Sequence, residues 1–475
     1  MTEKLKVQLR VLWVAALVAG AILPAGAEDS YVKRGTLQHQ GRLWSEEAEC
    51  TVPAKEGGRL IFRADLGSVS VRPGASDRLH CSVHLTVYTG SEAEARNIFS
   101  HYELIARRGD NGGAYLTGKL PAEKRQRRSL SVSFDLQVPA KFNLDLETQG
   151  GGVEVTHLEG ELRAVTAGGD IHTGDVSGPV RVETAGGAID LGNMGQRVEA
   201  HTAGGGIHVG DVRGDATLET SGGEIVAGMV QGTLRAETAG GDIVLRGASG
   251  PIYAETAGGQ IQLGQCGGNV RAETAGGSIH VDAARGRVEA ETAGGGIDLM
   301  QLMSGVRAET AAGPIVAQIN ASRGTFIPSS LETSVGDIHV FLAPDLPLTI
   351  DAVIEEATGH QIKSDFPLSL RGEPGGFMVG TVEGRGALQG GGNELKIHTV
   401  MGSIEIRKLD AAAVAKMKQS EDAFWKRWQE RWQERQRHLN EVSEHLRMLE
   451  DKQRRMIDER ERQKQQHDND DFDDQ

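Results

Sequence analysis

Between residues 141 and 320 apolar and polar positions alternate in short bursts separated by glycine, and the whole pattern returns every eighteen residues. Thr148, Thr166, Thr184, Thr202, Thr220, Thr238, Thr256, Thr274, Thr292 and Thr310 keep this interval without an insertion. Each threonine before Thr310 is followed by a glycine pair, such as Gly186 and Gly187 or Gly240 and Gly241, and every one by an aliphatic residue at the fifth place, as at Val153, Ile171, Ile297 and Ile315. A second aliphatic comes two places later, at Leu191, Leu245, Leu263 and Leu299, and the apolar positions as a whole fall at five, seven, ten, fourteen and sixteen. Strand side chains alternate with period two, so the closing segment VRAET puts Val270, Ala272 and Thr274 on one face and Arg271 and Glu273 on the other. Each unit is therefore expected to be two short strands joined by two glycine turns.

Such a unit is too small to bury its own apolar face and too short for a crossover helix, so successive units must stack in parallel. The fold expected is mainly β: a flattened parallel β-solenoid of eighteen-residue, two-strand rungs over 141–320, with handedness left open. The corner glycines are expected to supply backbone angles that a Cβ would penalise. Ten rungs at ~4.8 Å each give a rod of roughly 48 Å. A left-handed hexapeptide helix would place an aliphatic residue every six positions, which the uneven spacing does not match. A calcium-binding nonapeptide repeat needs a regular aspartate after the glycines, whereas Asp170 and Asp242 alternate with Ala188, Gly206, Ser278 and Gly296.

The flanks read differently. Over 28–140 the segments GRLIFRADLGSVSVRPG, RLHCSVHLTVYTG and SLSVSFDLQVPAKFNLDLET alternate like strands. Between them SEAEARNIFSHYELIARR starts with a serine cap and predicts a helix carrying Ala95, Ile98, Phe99 and Tyr102 on one face. This region is expected to be a small α/β cap that hides the open strand edge. Over 321–408, SSLETSVGDIHVFLAP and NELKIHTVMGSIEIRK repeat the Thr, Gly and Ile grammar at wider intervals and predict irregular closing rungs. From Leu409 to about residue 465 a charged segment without Gly or Pro predicts a long helix. Trp425, Trp428, Trp432, Leu439, Val442, Leu446, Leu449 and Met456 form a heptad stripe there, with Arg435 and Gln453 in two seam positions. Residues 466–475 are an acidic tail expected to be disordered.

Composition changes the picture in three ways. Lys4, Lys6 and Arg10 precede the apolar run VLWVAALVAGAIL, which ends at Pro24 and AGA, so residues 1–27 read as a secretory signal peptide and the protein as exported, to periplasm, cell surface or medium. The net charge of −15 disfavours nucleic acid and anionic membranes, and no other long apolar segment predicts a stable span. Of the three cysteines, Cys50 and Cys81 are a candidate disulfide, while Cys266 replaces Ala, Val or Leu of other rungs and reads as a small buried hydrophobe.

The residues from FNLDLETQGGGVEV through the ETAGG rungs to NELKIHTVMGSIEIRK resemble the bacterial putative adhesin family, a β-strand-repeat domain of unknown function found in envelope and secreted proteins. The resemblance spans roughly Arg59–Arg407 and implies a surface or periplasmic β-solenoid; it brings no catalytic residues and does not include the C-terminal helix.

Outward residues at one place in successive units should form ladders. Glu154, His172, Asp190 and His208 give four consecutive potential metal ligands, although ~4.8 Å between rungs is long for ligands around one ion. Complementary polar stacking is the simpler reading, and no cofactor is expected. Glu219, Glu237, Glu255, Glu273, Glu291 and Glu309 form a like-charge ladder that Arg235, Arg271 and Arg307 can offset. The threonine ladder faces inward and is expected to hydrogen-bond from rung to rung. No nucleophile constellation stands out. The function expected is therefore a non-enzymatic scaffold or adhesin-like binding surface for a protein or envelope polymer, with the C-terminal helix serving partner binding or homo-oligomerisation. Two rival readings are a carbohydrate-active β-helix enzyme, for which the rungs carry almost no aromatic besides Tyr253, and an oligomeric envelope structural protein.

Overall fold

The computed structural model describes residues 31–121, 130–372 and 380–410, together with 423, 425–427, 430, 431, 433, 434 and 437. Residues 1–27, expected to be a signal peptide, the acidic tail 466–475 and most of the expected heptad stripe (Trp428, Trp432, Leu439, Val442, Leu446, Leu449 and Met456) lie outside the described residues. The described positions between 423 and 437 are helical and belong to a separate unit, Asp410–Gln475. The extent of the helix expected over 409–465 lies outside the described residues too.

In the main unit two long sheets face one another across a single core. Five-residue strands such as Val198–Thr202, Leu234–Thr238 and Val270–Thr274 build one sheet, and strands such as Ile207–Val209 and Ile243–Ala248 build the other. Every pairing among the regular rungs is parallel and offset by one repeat: Thr184 lies beside Thr202, Thr202 beside Thr220, Ile189 beside Ile207. Burial follows the period-two pattern, with Val270, Ala272 and Thr274 inside and Arg271 exposed. Each fully buried Ile or Leu in these rungs contributes about 1.5–3 kcal/mol.

The rung has more than the two contact lines expected. Leu158, Val176, Met194, Val212 and Val230 are joined in series by parallel bridges, and the line continues through Ala248, Cys266, Ala284 and Leu302. These are the residues at the tenth place after each threonine, all buried. The uneven aliphatic spacing thus encodes three inward lines per coil, and the flattened two-line section is corrected to three.

The glycine corners also differ from expectation. Within each pair the second glycine is the more tightly placed: a Cβ on Gly187 would stand 2.1 Å from the Gly169 carbonyl oxygen and one on Gly277 1.9 Å from that of Gly259, whereas among the first glycines the tightest, Gly204 and Gly222, would meet backbone at 3.0 and 3.1 Å. A Cβ on the first glycine of the pair meets nothing closer than 3.5 Å at Gly258 and Gly276. Neither of the pair has a positive φ in the regular rungs, so contact with the backbone of the rung below, and not an unusual backbone angle, selects glycine. The chain repeats this asymmetry, since the first place becomes Ala312, Val335 and Met401 while the second stays Gly313, Gly336 and Gly402.

The threonine at each corner completes the joint. Its Oγ1 donates to the second-glycine carbonyl of the preceding rung at 2.8–2.9 Å from Thr148 to Thr310. In several rungs the same oxygen accepts from the amide of its own second glycine, as Thr184 does from Gly187 at 3.2 Å. The inward hydroxyl is thus satisfied on both sides, as a buried polar group must be.

Both ends depart from chain order. At the start, Arg59–Ala64 lies between Asn143–Thr148 and Ala114–Lys119, and Ser68–Pro73 lies between Val153–Val155 and Ser131–Val138. At the finish, Glu394–Met401 slips between Ser329–Val335 and Leu348–Ile354, and Ile404–Lys408 between Ile338–Leu342 and Ile362–Ser364. At the finish the chain passes outward, forms a rung and returns to fill the place beneath it; at the start the order is reversed, the inner strands coming first and the outer rung being added before the chain passes on to Asn143–Thr148. Antiparallel strands then close the edges, with Glu103–Arg108 on Ala114–Lys119 at one end and Val382–Leu388 on Leu348–Ile354 at the other.

The helix of the N-terminal region is shorter than the sequence suggests. It spans Glu92–Ser100, with Ser91 accepting from the Glu94 amide and Ala95 and Phe99 buried. Tyr102 is buried but lies past the helix, and ELIARR is a strand, because pairing with Ala114–Lys119 overrides its local helical spacing. Cys50 and Cys81 are directly opposite one another on the antiparallel strands Leu43–Pro53 and Arg78–Tyr88 and form a disulfide.

Candidate binding face

The outer face of the five-residue-strand sheet carries two adjacent rows. One is the glutamate ladder, in which Glu219, Glu237, Glu255, Glu273, Glu291 and Glu309 are direct neighbours in register and Glu332 extends the row. The other runs Arg235, Tyr253, Arg271, Glu289, Arg307. Each arginine pairs with the glutamate of its own rung: Arg235 with Glu237, Arg271 with Glu273 at 2.5 Å, Arg307 with Glu309 at 2.6 Å. Within this row arginine occurs only in alternate places, and Arg287 in the rung of Glu291 pairs with Glu289, so Glu255 and Glu291 stand exposed between paired neighbours and form no ion pair among the described residues. The residual repulsion is visible at Glu237. Partial burial raises its pKa, the Arg235 charge opposes the rise, and Glu219 and Glu255 add to it. At the start of the row His201 Nδ1 lies 3.2 Å from Glu219, and this hydrogen bond raises the imidazole pKa. Tyr253 is 43% exposed beside Arg235 and Arg271, the one large aromatic on this face among the described rungs.

The opposite sheet places Glu154, His172, Asp190 and His208 in adjacent rungs. Here the groups face one another. Asp190 is nearly buried, with His172 Nδ1 at 3.2 Å and His208 Nδ1 at 2.9 Å, while His208 Nε2 lies 3.0 Å from Glu224. Burial would raise the Asp190 pKa, but the two imidazoles hold it well below the usual carboxylate range. The His172 pKa is raised, chiefly by its hydrogen bond to Asp190. Acid and base thus alternate and neutralise one another along the stack. Among the described residues no three His, Cys, Asp or Glu side chains converge as a metal site.

No family model and no curated protein matches the chain. Solved structures do. One is a putative cell adhesion protein from Clostridium sporogenes, at 9% identity over 76% of this chain and 99% of that one, with a TM-score of 0.14. Others are a putative adhesin from Bacteroides fragilis, at 14% identity over 62% and 96% with a TM-score of 0.17, and a putative lipid binding protein from Parabacteroides distasonis, at 14% over 62% and 96% with a TM-score of 0.20.

Residues the sequence left unassigned bind rung to rung. Asp170 Oδ1 accepts from the Ala188 amide at 2.7 Å and Asp242 Oδ1 from the Gln260 amide at 2.8 Å, so the two corner aspartates weighed as calcium ligands tie neighbouring coils instead. Asp175, Asp211 and Asp215 do the same at other corners. The available signal was an eighteen-residue offset between each of these side chains and an amide starting the same turn in the next unit. Cys266 is buried, and burial first, then the charge of Asp282, pushes its thiol up to about 12. Of the expected helix face only Trp425 is described, half-buried. No helix among the described residues is long and apolar enough to cross a membrane.

Proposed function

We propose that this is an exported, non-enzymatic β-solenoid whose glutamate-lined face binds an extended basic protein segment or envelope polymer in an adhesin-like or scaffolding manner. The observation that supports this reading is the in-register row from Glu219 to Glu332, with arginine only in alternate places of the adjacent row. The exposed carboxylates Glu255 and Glu291 therefore stand two rungs apart, roughly 9.6 Å, on this face. Complementary charge along such a face speeds encounter and fixes alignment more than it adds raw affinity. The C-terminal segment, on this reading, is a second attachment point that joins partners or copies of the chain.

The test is binding of the full chain to envelope material from its own cell, compared with the double variant Glu255→Lys and Glu291→Lys. At least a tenfold loss, with the far-ultraviolet circular dichroism unchanged, supports the face. Unchanged binding removes it. Cleavage of an envelope polysaccharide by the wild-type chain, abolished by these substitutions, would replace binding by catalysis. Removal of residues 409–475 with every partner retained would take the helix out of the account.

A further inference from the structure

The eighth place after the threonine is glycine at Gly174, Gly192, Gly210, Gly228 and Gly264 and a larger residue at Thr156, Arg246, Met300 and Gln318, and in one rung it is the carboxylate Asp282. That side chain is 2% exposed, between Gly264 and Met300 of the flanking rungs, and a carboxylate so placed needs a cationic partner. His280 is there. Its Nε2 lies 2.7 Å from Asp282 Oδ1, and its Nδ1 lies 3.1 Å from Oδ2 of Asp298 on the following rung. A carboxylate oxygen only accepts, so both bonds exist together only when both ring nitrogens carry hydrogen.

We infer that His280 is a fixed imidazolium that locks the rung Ile279–Ala284 to the rung Ile297–Leu302, a proton-dependent latch within the regular part of the rod. The groups facing it are Asp282 and Asp298, with Gln262 beside it on the preceding rung and the Cys266 thiol within reach of the Asp282 charge. Burial opposes the charge, but the two carboxylates raise the imidazole pKa to about 10. The latch is therefore closed throughout neutral pH. Its contribution is full below the unfolded value of about 6.5 and is lost as pH rises through about 10.

Histidine ring nitrogen–proton correlation spectra of the full chain at pH 8 test it directly. The His280 ring is expected to be doubly protonated there and to titrate near 10, and a single-NH tautomer at pH 8 would overturn the inference. His280→Gln should lower the melting temperature, and adding Asp282→Asn should recover part of the loss by removing the stranded carboxylate. A double variant no more stable than His280→Gln counts against the latch. Should His280→Gln fail to fold, Asp298→Asn gives the same reading by shifting the His280 midpoint down at least tenfold in proton affinity; an unmoved midpoint contradicts it.

Discussion

The regular rungs and the two ends obey different rules of neighbourhood. From Thr148 to Thr310 the residue beside any residue is the one eighteen places away, so one joint, a threonine hydroxyl under a glycine carbonyl, is copied without change. At the ends the spatial order differs from the chain order: Arg59–Ala64 and Glu394–Met401 each fill a place between strands remote in sequence. The middle can be lengthened or shortened by whole repeats, because each rung needs only its two neighbours. The ends cannot, since each holds a strand seated between two strands that do not stand one repeat away in the chain. Repetition builds the rod, and the interleaved ends with their antiparallel strands protect its edges.

The sharpest way to break this comparison lies inside a single glycine pair. Gly277→Ala places a methyl group 1.9 Å from the Gly259 carbonyl oxygen and is expected to destabilise the rod by about 3 kcal/mol or more. Gly276→Ala, one residue away with its nearest atom at 3.5 Å, should stay within about 0.5 kcal/mol of wild type. Denaturant unfolding of the two variants measures the difference, and equal losses would show that the corner does not approach its neighbour as described. Next in size is Thr238→Val. It removes the donor to Gly223 and the acceptor for Gly241, at a cost of about 1–3 kcal/mol by the same measurement.

Much of the regular region was legible because the same physical joint recurs ten times. Ile243 and Thr238 repeat in kind at every rung and Leu245 at all but the rung of Thr173, and period-two alternation gives their direction. The third inward line was present in the spacing, at Met194 and Val212, but single-residue bridges leave no alternating run for a strand pattern to detect. The glycine asymmetry was written in Ala312, Val335 and Met401 and was hidden by reading both glycines as turn formers. The end exchanges were not legible, since a strand's local alternation says which face is inward and nothing about which remote strand lies beside it. ELIARR failed for a related reason: its helical spacing is local and its strand pairing is not. For the outer rows, the sequence located Glu154, His172, Asp190 and His208 correctly on one line, but whether such groups converge on an ion or satisfy one another depends on side-chain directions, and these turn Asp190 toward both imidazoles.

A pH comparison separates the two faces more gently. His172 and His201 both have folded pKa values raised by cross-rung hydrogen bonds to Asp190 and Glu219. A raised value means that the added stability is full below about 6.5, the unfolded value, and falls as pH climbs through the folded one. Thermal melts should therefore drop as pH rises above the unfolded value of about 6.5, with the slope reduced in a His172→Asn, His201→Asn variant; an unchanged slope would show that these contacts do not form. The smallest effect is expected from Arg307→Ala. The pair of Arg307 with Glu309 lies in solvent, which screens it, so this variant should unfold almost as wild type does while altering the charge pattern of the face.

The most direct measurement of stacking is a pair of electron spin labels on the outer row that runs Arg181, Glu199, Thr217, Arg235, Tyr253, Arg271, Glu289, Arg307. In a Cys266→Ala background, labels at Thr217→Cys and Arg307→Cys are five rungs apart, and labels at Arg181→Cys and Arg307→Cys are seven. Stacked coils give separations of roughly 24 Å and roughly 34 Å, an increase of about 10 Å for two added rungs. Separations that do not grow with the number of intervening repeats would contradict the rod.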